Sequence, residues 1–194
     1  MISLFIDTSL SDVSIALLKE GKELSCIHNN IPGEHSIYVS KYIEAILKEN
    51  KISPNAVDEI IVVNGPGSFT GIRIGVTIAK MYAYLEKIRI VTITSLQARI
   101  IGLTGNYFLS KIDAKHGNYY IGLYDKDYNK IIEEFAPLQK VEELINQYNP
   151  TIVDPSKKYN IEKIVEYTKK MKNMNPHGVN PIYLKLPEAM EKKW

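Results

Sequence analysis

Short apolar runs open the chain: Ser3 to Ile6, Val13 to Lys19 and Glu23 to His28, divided by Asp7-Thr8-Ser9-Leu10-Ser11-Asp12 and by the turn at Gly21. Runs of that length between polar turns predict three strands in an antiparallel meander. From His35 to Asn50 the period changes. Val39, Tyr42, Ile43, Ile46 and Leu47 fall at i, i+3, i+4, i+7 and i+8, the stripe of an amphipathic helix. Ser53-Pro54 then breaks the chain, Ile60 to Val63 reads as a buried strand, a helix is expected from Gly71 to Leu85, and Ile88 to Ile93 as a further strand.

A weaker form of the same pattern returns in the second half. An ungapped overlay at an offset of 106 residues lays Asp7 on Asp113, Ile6 on Ile112, Ile15 on Ile121, Ala16 on Gly122 and Leu17 on Leu123. An acidic residue closing a first strand before a hairpin is shared, so the chain reads as a duplicated α/β lobe, residues 1–95 and a smaller 96–194. Later elements are a helix from Val141 to Tyr148, a strand at Thr151 to Val153 and a helix from Ile161 to Met171. Asn175-Pro176-His177-Gly178 and Pro181 interrupt the chain before Ile182-Tyr183-Leu184-Lys185 and a charged tail ending at Trp194.

The helix from Gly71 carries Ile72, Val76, Ala79 and Ala83 along one line and Ile74, Ile78, Met81, Tyr82 and Leu85 along another. A helix lying on one sheet needs one apolar face, so the second calls for another cover. Gly71, Gly75, Ala79 and Ala83 also repeat every four residues as a small-residue ridge. Helical glycine costs about 1 kcal/mol against alanine, so Gly75 implies close packing in return. Two readings stay open: a helix enclosed by its own fold, or a protein-protein surface shared with the Tyr38, Tyr42 and Ala45 side of the preceding helix. On the second reading Ala79→Arg leaves the isolated chain folded and abolishes dimerisation.

Between strand and helix lies Asn64-Gly65-Pro66-Gly67-Ser68-Phe69-Thr70-Gly71. Glycines there permit positive φ and close backbone approach. A phosphate P-loop needs four residues between its glycines and then Gly-Lys-Ser/Thr, whereas Gly67 and Gly71 enclose three and Ile72 follows. The segment is one residue too long for the dinucleotide fingerprint, and Pro66 lacks a donor. Direct phosphate cradling is therefore not expected.

Composition narrows the classes. The chain has 194 residues, 45% hydrophobic, with net charge +2, enough for a real core and too little charge to attract nucleic acid as a whole. Lysines thicken at Lys157, Lys158, Lys163, Lys169, Lys170 and Lys172, which reads first as a solvated helix face. The single cysteine, Cys26, cannot form an intramolecular disulfide and reads as a small core residue. No apolar run reaches membrane-spanning length and no cleavable leader is evident, so a cytoplasmic location is expected.

Ile6-Asp7-Thr8-Ser9, His35-Ser36, the elbow through Gly75, Thr94-Ser95-Leu96, Ile112-Asp113-Ala114 and Pro181-Ile182-Tyr183-Leu184-Lys185 together resemble the TsaB (YeaZ) family. The resemblance implies a duplicated actin/Hsp70-like fold (ASKHA, ribonuclease H-like). It also implies a non-catalytic dimerisation subunit that binds and activates the TsaD catalytic subunit, with the ATPase TsaE. That complex transfers threonylcarbamoyl to the adenosine beside the anticodon of tRNAs reading ANN codons. The helices 35–50 and 71–85 correspond to the family's partner bundle, which places Tyr38, Tyr42, Ala45, Gly71, Arg73, Gly75, Ile78, Ala79, Tyr82 and Ala83 at the interface. Asp7, Thr8, Gly65 and Gly67 fall where a nucleotide would lie nearby. The catalytic sibling has two metal-binding histidines where Ser95 and Arg99 stand here, and neither replaces an imidazole. The resemblance implies no catalytic residue, no metal and no cofactor of its own, ATP or ADP entering only with the assembled complex, tRNA met only through that complex, and a possible homodimer. His28, His35, His116 and His177 show no ligand spacing and read as surface or capping residues.

Two other activities have some footing in the sequence. Asp7 and Asp113 could organise magnesium in an ATPase or small-molecule kinase, but the first hairpin has no glycine to bring N–H groups onto phosphate. A peptidase would need His-Glu-x-x-His or an activated nucleophile. Neither is present: Ser68 sits in Gly67-Ser68-Phe69-Thr70-Gly71, outside a Gly-x-Ser-x-Gly pattern.

Overall fold

The meander forms as β1 (Ile2–Asp7), β2 (Asp12–Lys19) and β3 (Lys22–Asn30), and the helix after it as α1 (His35–Glu49). These come from a computed structural model that describes residues 1–156 and 158–185; Lys157 and the tail ending at Trp194 lie outside them. β4 (Glu59–Val63), α2 (Phe69–Glu86) and β5 (Arg89–Ile93) complete a five-stranded sheet in the order β3-β2-β1-β4-β5. β1 runs antiparallel to β2 and parallel to β4, and β4 parallel to β5.

A four-residue helix, α3 (Ser95–Ala98), leads to β6 (Tyr107–Asp113), β7 (Asn118–Asp125) and β8 (Lys130–Pro137), then α4 (Leu138–Tyr148), β9 (Thr151–Val153) and α5 (Ile161–Thr168). The second sheet, β8-β7-β6-β9, repeats the first four positions of the first sheet and stops there. The mixed α/β fold is thus two like-wound sheets with helices on their faces. No helix among the described residues is long and apolar enough to cross a membrane.

Alternation along the strands sends side chains to two cores per sheet. Leu4, Ile6, Ile15 and Leu17 meet α1 and α2, while Phe5, Ala16 and Leu18 meet α5 on the other face. In the second sheet Leu109, Ile121 and Leu123 face α4, and Phe108, Ile112 and Tyr124 face α3. The overlay at 106 residues therefore keeps its faces on β2 and β7 but not on β1 and β6. Ile6 points toward α1 whereas Ile112 points toward α3. The hairpin registers explain it: Ile6 pairs with Ile15, but Ile112 pairs with Tyr120, one residue short of the overlay. Hence Ile112, not Asp113, faces the way Asp7 does.

Three further expectations change. Cys26 is exposed, because β3 is an edge strand with little covering it. His35 is buried at the start of α1, its Nε2 2.8 Å from the Leu10 carbonyl oxygen, which ties the helix to the loop after β1. α5 ends at Thr168 rather than Met171 because Arg89, beside buried Glu59, donates from Nη2 to the Thr168 and Met171 carbonyls at 2.7 Å each. Buried charges need such pairing.

Candidate functional site

The elbow after β4 is closed by the chain's own backbone. Ser68 N–H donates to the Ser9 carbonyl (2.6 Å), Ile182 N–H to the Asn64 carbonyl (2.7 Å), and Ser95 N–H to the Gly65 carbonyl (2.9 Å). Gly65 and Gly67 have φ of +113° and +153°. A Cβ on Gly65 would stand 2.5 Å from the Ile182 carbonyl oxygen, and one on Gly67 would overlap the Ser9 carbonyl. Both glycines thus admit the backbone of other segments of this protein, Ile182 at Gly65 and Ser9 at Gly67. Ser68 caps α2, its hydroxyl oxygen accepting from Gly71 N–H.

The small-residue ridge of α2 points inward. A Cβ on Gly71 would overlap the Thr8 carbonyl and one on Gly75 the Thr8 hydroxyl, which itself donates to the Gly71 carbonyl at 2.7 Å. Ala79 and Ala83 are buried in the core shared with α1 and β1. Gly71, Gly75, Ala79 and Ala83 therefore cannot meet a foreign helix in this fold, and the close packing that Gly75 implied is with Thr8. The occupant of the seam is a loop, not a helix. Ala79→Arg would place a guanidinium in the core, so it tests folding rather than docking.

The other apolar line of the same helix is open. Met81 is 58% and Leu85 68% exposed, and together with half-buried Ile78 and Tyr82 they face Ile43 and Leu47 of α1 across a groove of about 480 Å³. Tyr82 donates its hydroxyl to the Pro54 carbonyl at 2.8 Å, and burial pushes its phenol up to about 12. Tyr38 and Tyr42 stack on each other 5.6 Å apart, Tyr42 accepting from Asn29, and Ala45 is exposed. Arg73 is exposed one turn into α2. Six of the ten expected interface residues, Tyr38, Tyr42, Ala45, Arg73, Ile78 and Tyr82, are thus at least partly accessible on α1 and α2. Met81 and Leu85, absent from that set, are the most open apolar side chains beside the groove; their place on the second apolar line was the signal for them.

Both oxygens of Asp7 accept hydrogen bonds from this protein. Its Oδ1 accepts from Ser9 N–H at 2.7 Å and its Oδ2 from the Tyr159 hydroxyl, a residue the sequence did not single out. Burial, and then the Asp7 charge, raise the Tyr159 phenol well above the ordinary range. Asp113 is exposed on the opposite face of its sheet and caps its own turn through Lys115 N–H (2.8 Å). Asp7 and Asp113 are therefore not brought together as a magnesium pair would be. Ser95 donates to the Pro66 carbonyl, and Arg99 is buried with Nη1 3.3 Å from the Pro155 carbonyl and its guanidinium 4.8 Å from the Tyr159 ring centroid. Among the described residues no group of three or more His, Cys, Asp or Glu could hold a metal.

A family model described as "TsaD: tRNA N6-adenosine threonylcarbamoyltransferase" matches residues 31–183. The chain is 35% identical over 145 residues to a Bacillus subtilis protein named tRNA threonylcarbamoyladenosine biosynthesis protein TsaB, covering 73% of this chain and 62% of that one. A Buchnera aphidicola protein of the same name is 27% identical and is covered nearly end to end, 96% of its length against 93% of this chain. The solved structure titled YeaZ from Pseudomonas aeruginosa superposes with a TM-score of 0.77 at 22% identity, over 94% of this chain and 99% of that one. This last likeness speaks for the fold.

Proposed function

The chain belongs to the TsaB (YeaZ) family, and from that premise we propose that it serves threonylcarbamoyladenosine formation in tRNA as a non-catalytic subunit. In this reading it docks the TsaD-type catalytic subunit through α1 and α2 and keeps that subunit active, with a TsaE-type ATPase joining the assembly in the cytoplasm. The tRNA adenosine beside the anticodon is reached through the catalytic subunit.

The observation that carries the reading is the groove between α1 and α2. Its floor is apolar, its wall includes Leu85 at 68% exposure, and no segment among the described residues covers it. A continuous apolar surface on a helix pair suits a second helix pair. A catalytic role of its own finds little support, since Asp7 is engaged by Tyr159 and Ser9 and the elbow by Ser9 and Ile182. Co-purification with the catalytic subunit, followed by a threonylcarbamoyl transfer assay with and without this chain, tests the proposal. Transfer that proceeds equally without the chain would overturn it.

A further inference from the structure

Residues 179–185 cross the elbow as a strap. Val179 is buried in the core of the first sheet, Asn180 accepts from the Asn64 amide at 3.0 Å, and Leu184 packs in the core between the sheets. Where the strap passes the first turns of α2, Tyr183 meets Phe69 with ring centroids 4.9 Å apart. Arg73 closes the cluster: its guanidinium carbon lies 3.7 Å from the Phe69 centroid and its Nε donates to the Tyr183 hydroxyl at 2.8 Å. A guanidinium has five donors. One is spent on Tyr183, and among the described residues no carboxylate pairs with Arg73.

Arg73 lies on the side of α2 opposite the buried ridge, in line with exposed Thr77 and Met81, two turns or about 12 Å from the latter. A cation with no carboxylate partner among the described residues, stacked on one ring and hydrogen-bonded at one edge, presents its remaining N–H fork in a fixed direction two turns along α2 from the apolar groove. That fork matches a carboxylate in two-point geometry.

We propose that Arg73 reads a carboxylate on the docking partner and that Tyr183 is the positioning residue that holds it ready. The inference rests on the docking reading above, so the partner's apolar helix pair carries an acidic side chain near the end that meets the first turns of α2. Holding the fork in advance lowers the ordering cost of the contact.

The test measures affinity for the catalytic subunit across a salt series, using the full chain and the variants Arg73→Gln, Arg73→Lys and Tyr183→Phe, with thermal melts alongside. Arg73→Gln is expected to bind about fivefold more weakly at low salt and to lose part of the salt dependence, because one charge contact is gone. Arg73→Lys should keep the salt dependence without recovering full affinity. Tyr183→Phe keeps ring and charge, and is expected to weaken binding with the salt dependence intact. If the unaltered chain binds but Arg73→Gln has the same affinity, or a salt dependence unchanged from it, this inference falls and the docking reading stands. No binding by the unaltered chain overturns both.

Discussion

Gly67 and Gly75 each face an oxygen of the loop after β1, Gly67 the Ser9 carbonyl and Gly75 the Thr8 hydroxyl. The two differ in what can give way. At Gly67 the obstacle is backbone and φ is positive, so Gly67→Ala is expected to cost about 3 kcal/mol or more. At Gly75 the obstacle is a side chain, and Gly75→Ala should cost less, with Thr8→Ser in the same chain unable to restore it fully because the hydroxyl still stands in the way. Urea unfolding midpoints of the three variants check the order. Two phenols also bear on stability. Burial first, and then the neighbouring carboxylate, raises Tyr124 (beside Glu133) and Tyr159 (beside Asp7) well above the ordinary tyrosine range. Because the folded-state values lie above the unfolded one, their contribution is intact below about pH 10 and is lost as the pH climbs beyond it. Unfolding free energy should therefore decline above that pH, and less steeply in Tyr159→Phe; a flat profile to pH 11 would contradict the burial of these phenols.

α2 has a face for the sheet and a face for something else, and substitutions on the two should behave differently. Ala79→Arg is expected to abolish the folded state by circular dichroism. Leu85→Glu, at 68% exposure, should melt within about 2 °C of the unaltered chain, since surface changes stay within about 0.5 kcal/mol, yet fail to co-purify with the catalytic subunit. The elements themselves were legible from the sequence because the change from strand to helix period is a local signal. β9 matches its expected bounds, Thr151–Val153, and α1 ends one residue early, at Glu49. Which apolar line of α2 turns inward was not legible. Both lines repeat at the same period, and the choice is made by Thr8, sixty-three residues from Gly71 in the chain. The same holds for Asp113: a shared residue type at a strand end carries no information on which face the side chain takes. Cys26 was misread because an apolar run does not reveal that its strand stands at a sheet edge.

Across the whole molecule the two halves meet beside a cleft of about 440 Å³ lined by Asp7, Asp12 and His28 from one and Arg99 and Tyr159 from the other. Thr94, after β5 of the first sheet, donates to Glu133 of β8 at 2.7 Å, and Leu184 packs against the core beside them. At the Asp7 end of that cleft Tyr159 donates its hydroxyl to the Asp7 carboxylate. Calorimetry of the isolated chain with magnesium-ATP is expected to show no micromolar binding. Heat of binding at that concentration would instead favour an independent ATPase or kinase. The motifs around Asp7 and the elbow were visible from the start, but their partners, Ser9, Tyr159 and Ile182, lie in segments whose meeting only the fold brings about.

Because Thr8 settles the inward side of α2, the residues that look outward are released from the duty of holding the protein up. Arg73, Thr77, Met81 and Leu85 can change with whatever they greet, while Gly71, Gly75, Ala79 and Ala83 cannot. A lineage can thus retune its choice of companion by editing one side of one helix, and two such proteins sharing a cell can be kept from mispairing without either losing its shape.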